Sequence, residues 1–337
     1  RAFSTEEKPQ IPHSERPNAL FYGKMRQNIA TAEIKNGWFT RDNLLFAIKN
    51  WGNALTVKNL ENWVAPYTIP NGGRAKTVAI IMAGNIPLVG FHDFLAVLVS
   101  GHKVLVKLSS NDTVLLPFLS ELLIETAPGL KNRIAFTDKK LSGFNAVIAT
   151  GSNNSARYFN YYFKKYPHII RKNRNGAAVL TGSETPAQLT ALANDVFRYF
   201  GLGCRNVSKI YVPEGYNFDA FFNGMYAWKE VINNHRYINN YDYNKAVYLM
   251  SDVALLDNGF LLLKEDTGFS SPISVVFFER YKNLKDLQQT LTVAAENIQC
   301  TLAERGILNE IPFGTAQTPA LSHYADGVDT LQFLLNL

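Results

Sequence analysis

Thr77-Val-Ala-Ile-Ile-Met82-Ala-Gly-Asn85-Ile-Pro87, followed by Phe91 to Ser100 and then Gly101-His-Lys-Val-Leu-Val-Lys107, is the stretch whose reading decides the fold. Thr77 to Met82 is apolar or β-branched without alternation, the pattern of a strand buried on both faces of a parallel sheet. Ala83 to Pro87 reads as a turn, and Phe91 to Ser100 as an apolar helix stopped by Gly101. His102 to Lys107 is a second strand, Ser109-Ser-Asn-Asp112 a polar turn, and Thr113 to Thr126 a second helix. Asn145 to Thr150 repeats the strand and runs into Gly151-Ser152-Asn153-Asn154 and a helix through Phe163. This rotation of strand, turn and helix predicts an α/β fold with a doubly wound parallel sheet. Such a sheet binds its ligand outside the carboxyl ends of its strands.

The chain has 337 residues, enough for two domains with substantial cores. Residues 1–175 are expected to form N-terminal helices and a nucleotide-binding domain, and 176–310 an α/β catalytic domain. Residues 311–337 are expected to return to the first domain or to an oligomer interface. Residues 1–12 carry two prolines and no periodicity, and read as a trimmed or tagged end. Thr40 precedes a helix start, with Trp51, Leu60 and Trp63 as core residues.

Composition narrows the class. With 47% hydrophobic and 18% charged residues, the chain is globular rather than disordered or membranous. Asn85, Pro87, His92 and Asp93 interrupt the longest apolar stretch, so no bilayer span is expected, and no secretory signal is read. Two cysteines far apart in the sequence give no disulfide framework and point to a reducing, cytoplasmic setting. The net charge of +6 favours polyanions, which include phosphate-rich cofactors as well as nucleic acid. The six histidines lack metal-ligand spacing, so no metal is expected.

The candidate chemistry lies in Phe200-Gly-Leu-Gly-Cys204-Arg-Asn206. A helix capped by Thr185, with Pro186 at its first position, is expected to end at Phe200, and a strand to begin at Lys209. A thiol between two glycines is open to close approach, backbone N–H groups beside it can face an oxyanion, and Arg205 favours the reactive thiolate. The same residue also reads as a buried structural cysteine. In the first half, Gly151 and Ser152 opening a helix suit a pyrophosphate. Lys107 at a strand end can reach a ribose or phosphate, and Ser109 and Ser110 offer hydroxyls. There is no G-x-G-x-x-G fingerprint.

The order of these motifs, Val78 to Pro87, Gly101 to Ser110, Ala149-Thr-Gly-Ser152 and Gly201-Leu-Gly-Cys204, resembles the aldehyde dehydrogenase superfamily. Tyr166-Pro-His-Ile-Ile-Arg-Lys-Asn-Arg174, Pro312-Phe-Gly314 and Tyr324 to Thr330 bring it closer to acyl-CoA reductases of the LuxC type. The resemblance spans about Asn36 to Leu337. It implies an aldehyde dehydrogenase-like fold, Cys204 as the catalytic thiol, and Asn85 as a side-chain donor to the oxyanion hole. It further implies Lys107 on the adenosine ribose, Gly151 and Ser152 on the pyrophosphate, and Glu265 as the nearest match to a ribose-binding glutamate. Serine at 110, where NAD-using members have glutamate, points to NADPH, with NADH as the other candidate. The family's water-activating glutamate falls on Asn173 to Ala177, where there is no carboxylate. That absence argues for reduction of an acyl-CoA, expected to be fatty, through a Cys204 thioester, rather than oxidation of an aldehyde. The alternatives are an aldehyde dehydrogenase whose base comes from elsewhere, such as Glu184, or a catalytically inert cofactor-binding protein. A homodimer or homotetramer is the superfamily's usual assembly.

Remaining features have plainer expectations. Lys164, Lys165, His168, Arg171, Lys172 and Arg174 among the aromatics Tyr158 to Tyr166 read as a solvated helix face with aromatics packed inward, not a nucleic-acid surface. His92 reads as a satisfied core residue. Cys300, with no charged sequence neighbour, reads as structural, and Ala325 to Asp329 has too few carboxylates for a cation loop.

Overall fold

The computed structural model describes residues 19–70, 75–307 and 310–337; the expectation for residues 1–12 lies outside them. Backbone contacts divide the chain into two units, one running to Lys172 and joined by Ala320–Leu337, the other Asn173–Pro319.

The first unit begins with α1 (Ala19–Lys35), α2 (Arg41–Ala54) and α3 (Val57–Val64). Thr40 and Thr56 cap α2 and α3 through their hydroxyls, satisfying N–H groups that a helix start leaves open. Then come β1 (Thr77–Ile81), α4 (Phe91–Val99), β2 (Lys103–Lys107), α5 (Leu115–Thr126), β3 (Ile134–Phe136), β4 (Ala146–Thr150), α6 (Asn153–Phe163) and β5 (His168–Arg171). The strands form one parallel sheet in the order β3-β2-β1-β4-β5. The chain lays strands outward on one side of β1 and then returns to build the other side from β4. The carboxyl ends of β1 and β4 therefore flank the switch point at which such sheets open a crevice. The continuous apolar runs of β1 and β4 are almost wholly buried, as a strand covered on both faces must be. Trp63 is buried, with Trp51 and Leu60 packed against the same cluster.

The second unit contains β6 (Asn175–Val179), α7 (Pro186–Phe197), β7 (Val207–Pro213), α8 (Asp219–Met225), α9 (His235–Met250), β8 (Leu255–Asp257), β9 (Leu262–Glu265), β10 (Val275–Tyr281), α10 (Leu284–Val293), β11 (Ile298–Leu302) and β12 (Glu310–Ile311). Its sheet runs β12-β11-β6-β7-β10-β9-β8, parallel except for β8. The C-terminal α11 (Thr330–Leu335) belongs to the first unit.

Two expectations change. The run from Lys164 to Arg174 is not one helix face: α6 stops at Phe163, β5 follows, and Arg174 precedes β6. Phe159 and Phe163 do pack inward, but Tyr158, Tyr161 and Tyr162 are 66%, 69% and 65% exposed. They lie off the narrow stripe by which α6 meets its sheet. The second change concerns α7, which ends at Phe197 rather than Phe200 because the backbone there leaves the right-handed region.

Candidate active site

In the first unit, three turns that are distant in sequence share one sheet edge because β2, β1 and β4 are neighbours. After β1, the turn holding Asn85 exposes that residue and puts buried Leu88 at φ 58°, a left-handed conformation costing a non-glycine residue roughly 1–2 kcal/mol. Asp112, in the turn after β2, accepts the Leu88 N–H at 2.9 Å through Oδ2. Its other carboxylate oxygen is buried without a hydrogen-bond partner. Burial accordingly pushes the Asp112 carboxyl up to about 6, against the lowering pull of the Leu88 N–H. Gly84 lies so close to the second turn that a Cβ would stand 2.5 Å from Ser109 Oγ.

Ser109 serves this turn, its Oγ accepting the Asn111 N–H at 3.3 Å, while Ser110 is exposed. Lys107 Nζ donates to the Lys139 carbonyl at 3.1 Å. After β4, Ser152 caps α6 by accepting the Ser155 N–H at 3.2 Å. A Cβ at Gly151 would meet Ser155 Cβ at 2.8 Å and Phe159 at 3.0 Å. The turn therefore needs glycine to bring the start of α6 so near the strand end. Asn85, Lys107, Ser109, Ser110, Gly151 and Ser152 are thus all in this unit. The one carboxylate in these turns, Asp112, is directed at Leu88. A helix start with hydroxyls, a lysine and no outward carboxylate fits a dinucleotide's phosphates.

Cys204 and Glu265 are in the other unit. Between α7 and β7, Tyr199, Phe200 and Gly201 take φ 56°, 58° and 76° in succession. The two aromatic side chains are buried, which holds their backbone in this disfavoured state. Cys204 follows, half-buried, and neither cysteine is in a disulfide. Buried Asn206 organises the loop. Its Oδ1 accepts the Gly203 N–H at 2.8 Å, and its Nδ2 donates to the carbonyls of Asp195 at 2.9 Å and Arg198 at 2.8 Å. Arg205 Nε donates to the Ala316 carbonyl at 2.5 Å. The carboxylate of Asp195, fully buried at the end of α7, accepts the Ala316 N–H at 3.0 Å and the Gly314 N–H. Burial pushes Asp195 up to about 7, while the two N–H groups and Arg205 pull it down.

Cys300, read from the sequence as structural, lies beside the Cys204 loop. Its strand position pairs with Gly176, and its Sγ lies 3.9 Å from the Arg205 carbonyl. Burial pushes its thiol up to about 12, Arg205 pulls it down, and Cys204 and Asp195 push it further up. The sequence around Cys300 does not show these groups, because the fold brings them in from the end of α7 and from the loop before β7.

Glu184 is at the far end of this sheet from Cys204. The Cys204 loop enters the amino end of β7, parallel to β6, whereas Glu184 caps the turn beyond the carboxyl end of β6 by accepting the Gly182 N–H at 3.0 Å and the Thr181 hydroxyl at 2.8 Å. At the start of β6, Asn175 Nδ2 donates to Ser270 Oγ at 2.6 Å. Glu265 ends β9 with an exposed side chain, level with Phe278 of β10 and Ile210 of β7. The segment after it is fastened from beneath by Lys209, wholly buried, which donates to the Asp266 carbonyl and pairs with Glu279 at 2.9 Å. Burial drives the Lys209 ammonium down and Glu279 draws it up.

The sequence reading missed Asp112, Asp195, Asn206 and Lys209. Asp112 and Asp195, acidic residues with no basic residue beside them in the sequence, carried a signal that could have found them; Asn206 and Lys209 carried none. Elsewhere, His92 bonds the Leu321 carbonyl through Nε2 at 2.8 Å among Trp51, Trp63 and Tyr324. Asp329 caps α11 and accepts the Tyr67 hydroxyl at 2.7 Å. Among the described residues no group of His, Cys, Asp and Glu could hold a metal ion, and no helix is long and apolar enough to cross a membrane.

The sequence matches no protein-family model and no curated protein. Its fold is that of the aldehyde dehydrogenases. The indole-3-acetaldehyde dehydrogenase AldA of P. syringae, solved as a mutant with NAD+ and IAA, is similar with a TM-score of 0.64 over 90% of this chain and 72% of its own, at 11% identity. The aldehyde dehydrogenase KauB of Pseudomonas aeruginosa gives 0.63 over 86% and 70%, at 10% identity. Aldehyde dehydrogenase 21 of Physcomitrella patens, solved with the reaction product succinate, gives 0.61 over 85% and 71%, at 14% identity.

Proposed function

We propose that this chain is a nicotinamide-dependent oxidoreductase that reduces an acyl-CoA, of fatty type, to the aldehyde through a thioester on Cys204. The observation that carries the choice of reaction is the start of β6. Gly176 lies against the Cys204 loop, where a Cβ would meet the Arg205 and Asn206 carbonyls at 2.8 Å each. The residues leading into this contact are Asn173, Arg174 and Asn175, and none is a base that could activate water. Glu184, the substitute considered from sequence, is engaged at the other end of the strands. Without a base, an acyl-enzyme is protected from hydrolysis and persists long enough to be reduced.

In this reading the Cys204 thiolate attacks the thioester carbonyl carbon, forming a C–S bond and an oxyanion. The Cys204 N–H and the Asn85 amide stabilise that charge. Collapse expels the CoA thiolate, which takes a proton. A reduced nicotinamide, NADPH in preference to NADH, supplies the hydride. Lys107 and Ser110 would hold its adenosine ribose and 2′-phosphate, with Ser109 supporting their turn, and Gly151 and Ser152 its pyrophosphate. Glu265 would meet the second ribose. Breaking the carbon–sulfur bond then releases the aldehyde and restores the thiolate.

Loss of reduced-nicotinamide absorbance on adding a fatty acyl-CoA, compared for NADPH, NADH and Cys204→Ala, tests the proposal. Turnover that disappears in the variant is expected. The NAD+ complexes among the structural neighbours favour a second reading, oxidation of an aldehyde. Acid production from aldehyde and oxidised cofactor, with no acyl-CoA turnover, would select it.

A further inference from the structure

Both residues flanking Cys204 are tied to parts of the chain distant from it. On one side, the Gly203 N–H is held by Asn206, whose amide also grips the end of α7 at the Asp195 and Arg198 carbonyls. On the other, Arg205 donates to the Ala316 carbonyl. Asp195 closes the ring, because its side chain takes the N–H groups of Gly314 and Ala316. The Pro312–Ala316 segment after β12 is therefore fastened to α7 and to the Cys204 loop. Gly314, at φ 83°, sits so close to α7 that a Cβ would come within 3.0 Å of Ala191 Cβ.

We propose that Asp195 is a positioning residue for the nucleophile, locking the Pro312–Ala316 segment and the Cys204 loop into one rigid mount that sets the direction of the Cys204 thiol and N–H. The proposal rests on the reading of Cys204 as nucleophile. Two features separate this role from ordinary packing. A carboxylate with no exposure carries a desolvation cost that apolar residues in the same place would not. Its two oxygens are also spent on two backbone N–H groups of one short segment, two residues apart, and an amide would have an acceptor oxygen at only one of those two positions. Fixed geometry around a reacting atom is what such a cost can sustain, since a displacement of about 1 Å can lower a rate a hundredfold.

The test uses Asp195→Asn and, acting on the same contact from the opposite side, Gly314→Ala in the full chain. The readings are the second-order rate of Cys204 alkylation by iodoacetamide, with adducts at Cys204 and Cys300 separated by peptide mapping, the kcat and KM for acyl-CoA, and NADPH affinity. Alkylation of Cys204 should fall about tenfold to a hundredfold in both variants, with kcat falling in parallel and KM and NADPH affinity held within about twofold. Wild-type alkylation and kcat in a folded variant would overturn the proposal. So would a loss seen only in KM, or shared by Cys300 and by NADPH binding, since that marks general loosening. If Asp195→Asn does not fold, Gly314→Ala decides. Slowed alkylation in a protein that never turns over acyl-CoA leaves the mount standing and removes the acyl-CoA reading instead.

Discussion

Two glycines, Gly84 in the turn after β1 and Gly176 near the start of β6, each stand beside a candidate functional turn and are crowded by different things. At Gly84 the atoms that a Cβ would meet belong to the Ser109 side chain, at 2.5 and 2.7 Å, in a turn whose next two residues are exposed. At Gly176 they are the Arg205 and Asn206 carbonyls, both at 2.8 Å, and that backbone is fixed by the bonds of buried Asn206. A side chain in an exposed turn can move a few tenths of an ångström at small cost, whereas a backbone pinned on both sides cannot. The difference assigns adjustability to the turns suited to a dinucleotide and rigidity to the loop that presents the thiol. Binding tolerates some play, while reaction at a sulfur does not.

The contrast breaks most visibly at Gly176→Ala. Overpacking against a fixed backbone should cost about 3 kcal/mol in the denaturant unfolding of the second unit, and the surviving folded protein should alkylate slowly at Cys204 while binding dinucleotide normally. An unchanged unfolding midpoint would show that the Cys204 loop yields as easily as the other. Gly84→Ala should cost about 1 kcal/mol and weaken dinucleotide binding in a fluorescence titration. Adding Ser109→Gly should restore both, because it removes the two nearest atoms that the new methyl meets. If the double variant stays impaired, the crowding lies at the Asn111 side chain, whose Cβ would stand 3.2 Å away, and not in the serine.

Much of the first unit was legible because parallel strands announce themselves as uninterrupted apolar runs: Thr77 to Ile81, Lys103 to Lys107 and Ala146 to Thr150 fall within a residue or so of expectation. Asn85, Lys107 and Gly151 could be placed on one edge for the same reason, since each follows such a run. The mount of Cys204 was not legible. Its partners, Asp195 and Gly314, are separated by more than a hundred residues, and no local periodicity encodes which buried carboxylate meets which N–H. Tyr199 and Phe200 extended the apolar pattern of α7, so propensity alone carried the helix through the point where it stops. Only burial of both rings holds the backbone in a region that such residues avoid.

The buried carboxylates sharpen the same contrast at the smallest scale. Asp195 has both oxygens committed to N–H groups, whereas Asp112 uses one on Leu88 and leaves the other unpartnered. An asparagine at 112 keeps the bond to Leu88 through its carbonyl oxygen and discards a charge held in a buried place. The folded-state carboxyl of Asp112 titrates at about 6, above its ordinary value of 3.8. Between those values the native state holds more protons than the unfolded chain, so this group's contribution to stability falls as pH rises through the window and is flat above it. Asp112→Asn should remove that slope: little change in unfolding free energy near pH 4, rising to a gain of about 3 kcal/mol at pH 8. A loss at pH 8 instead would mean that the charge itself, rather than one accepted N–H, holds Leu88 in its left-handed turn, and the two carboxylates would then be alike.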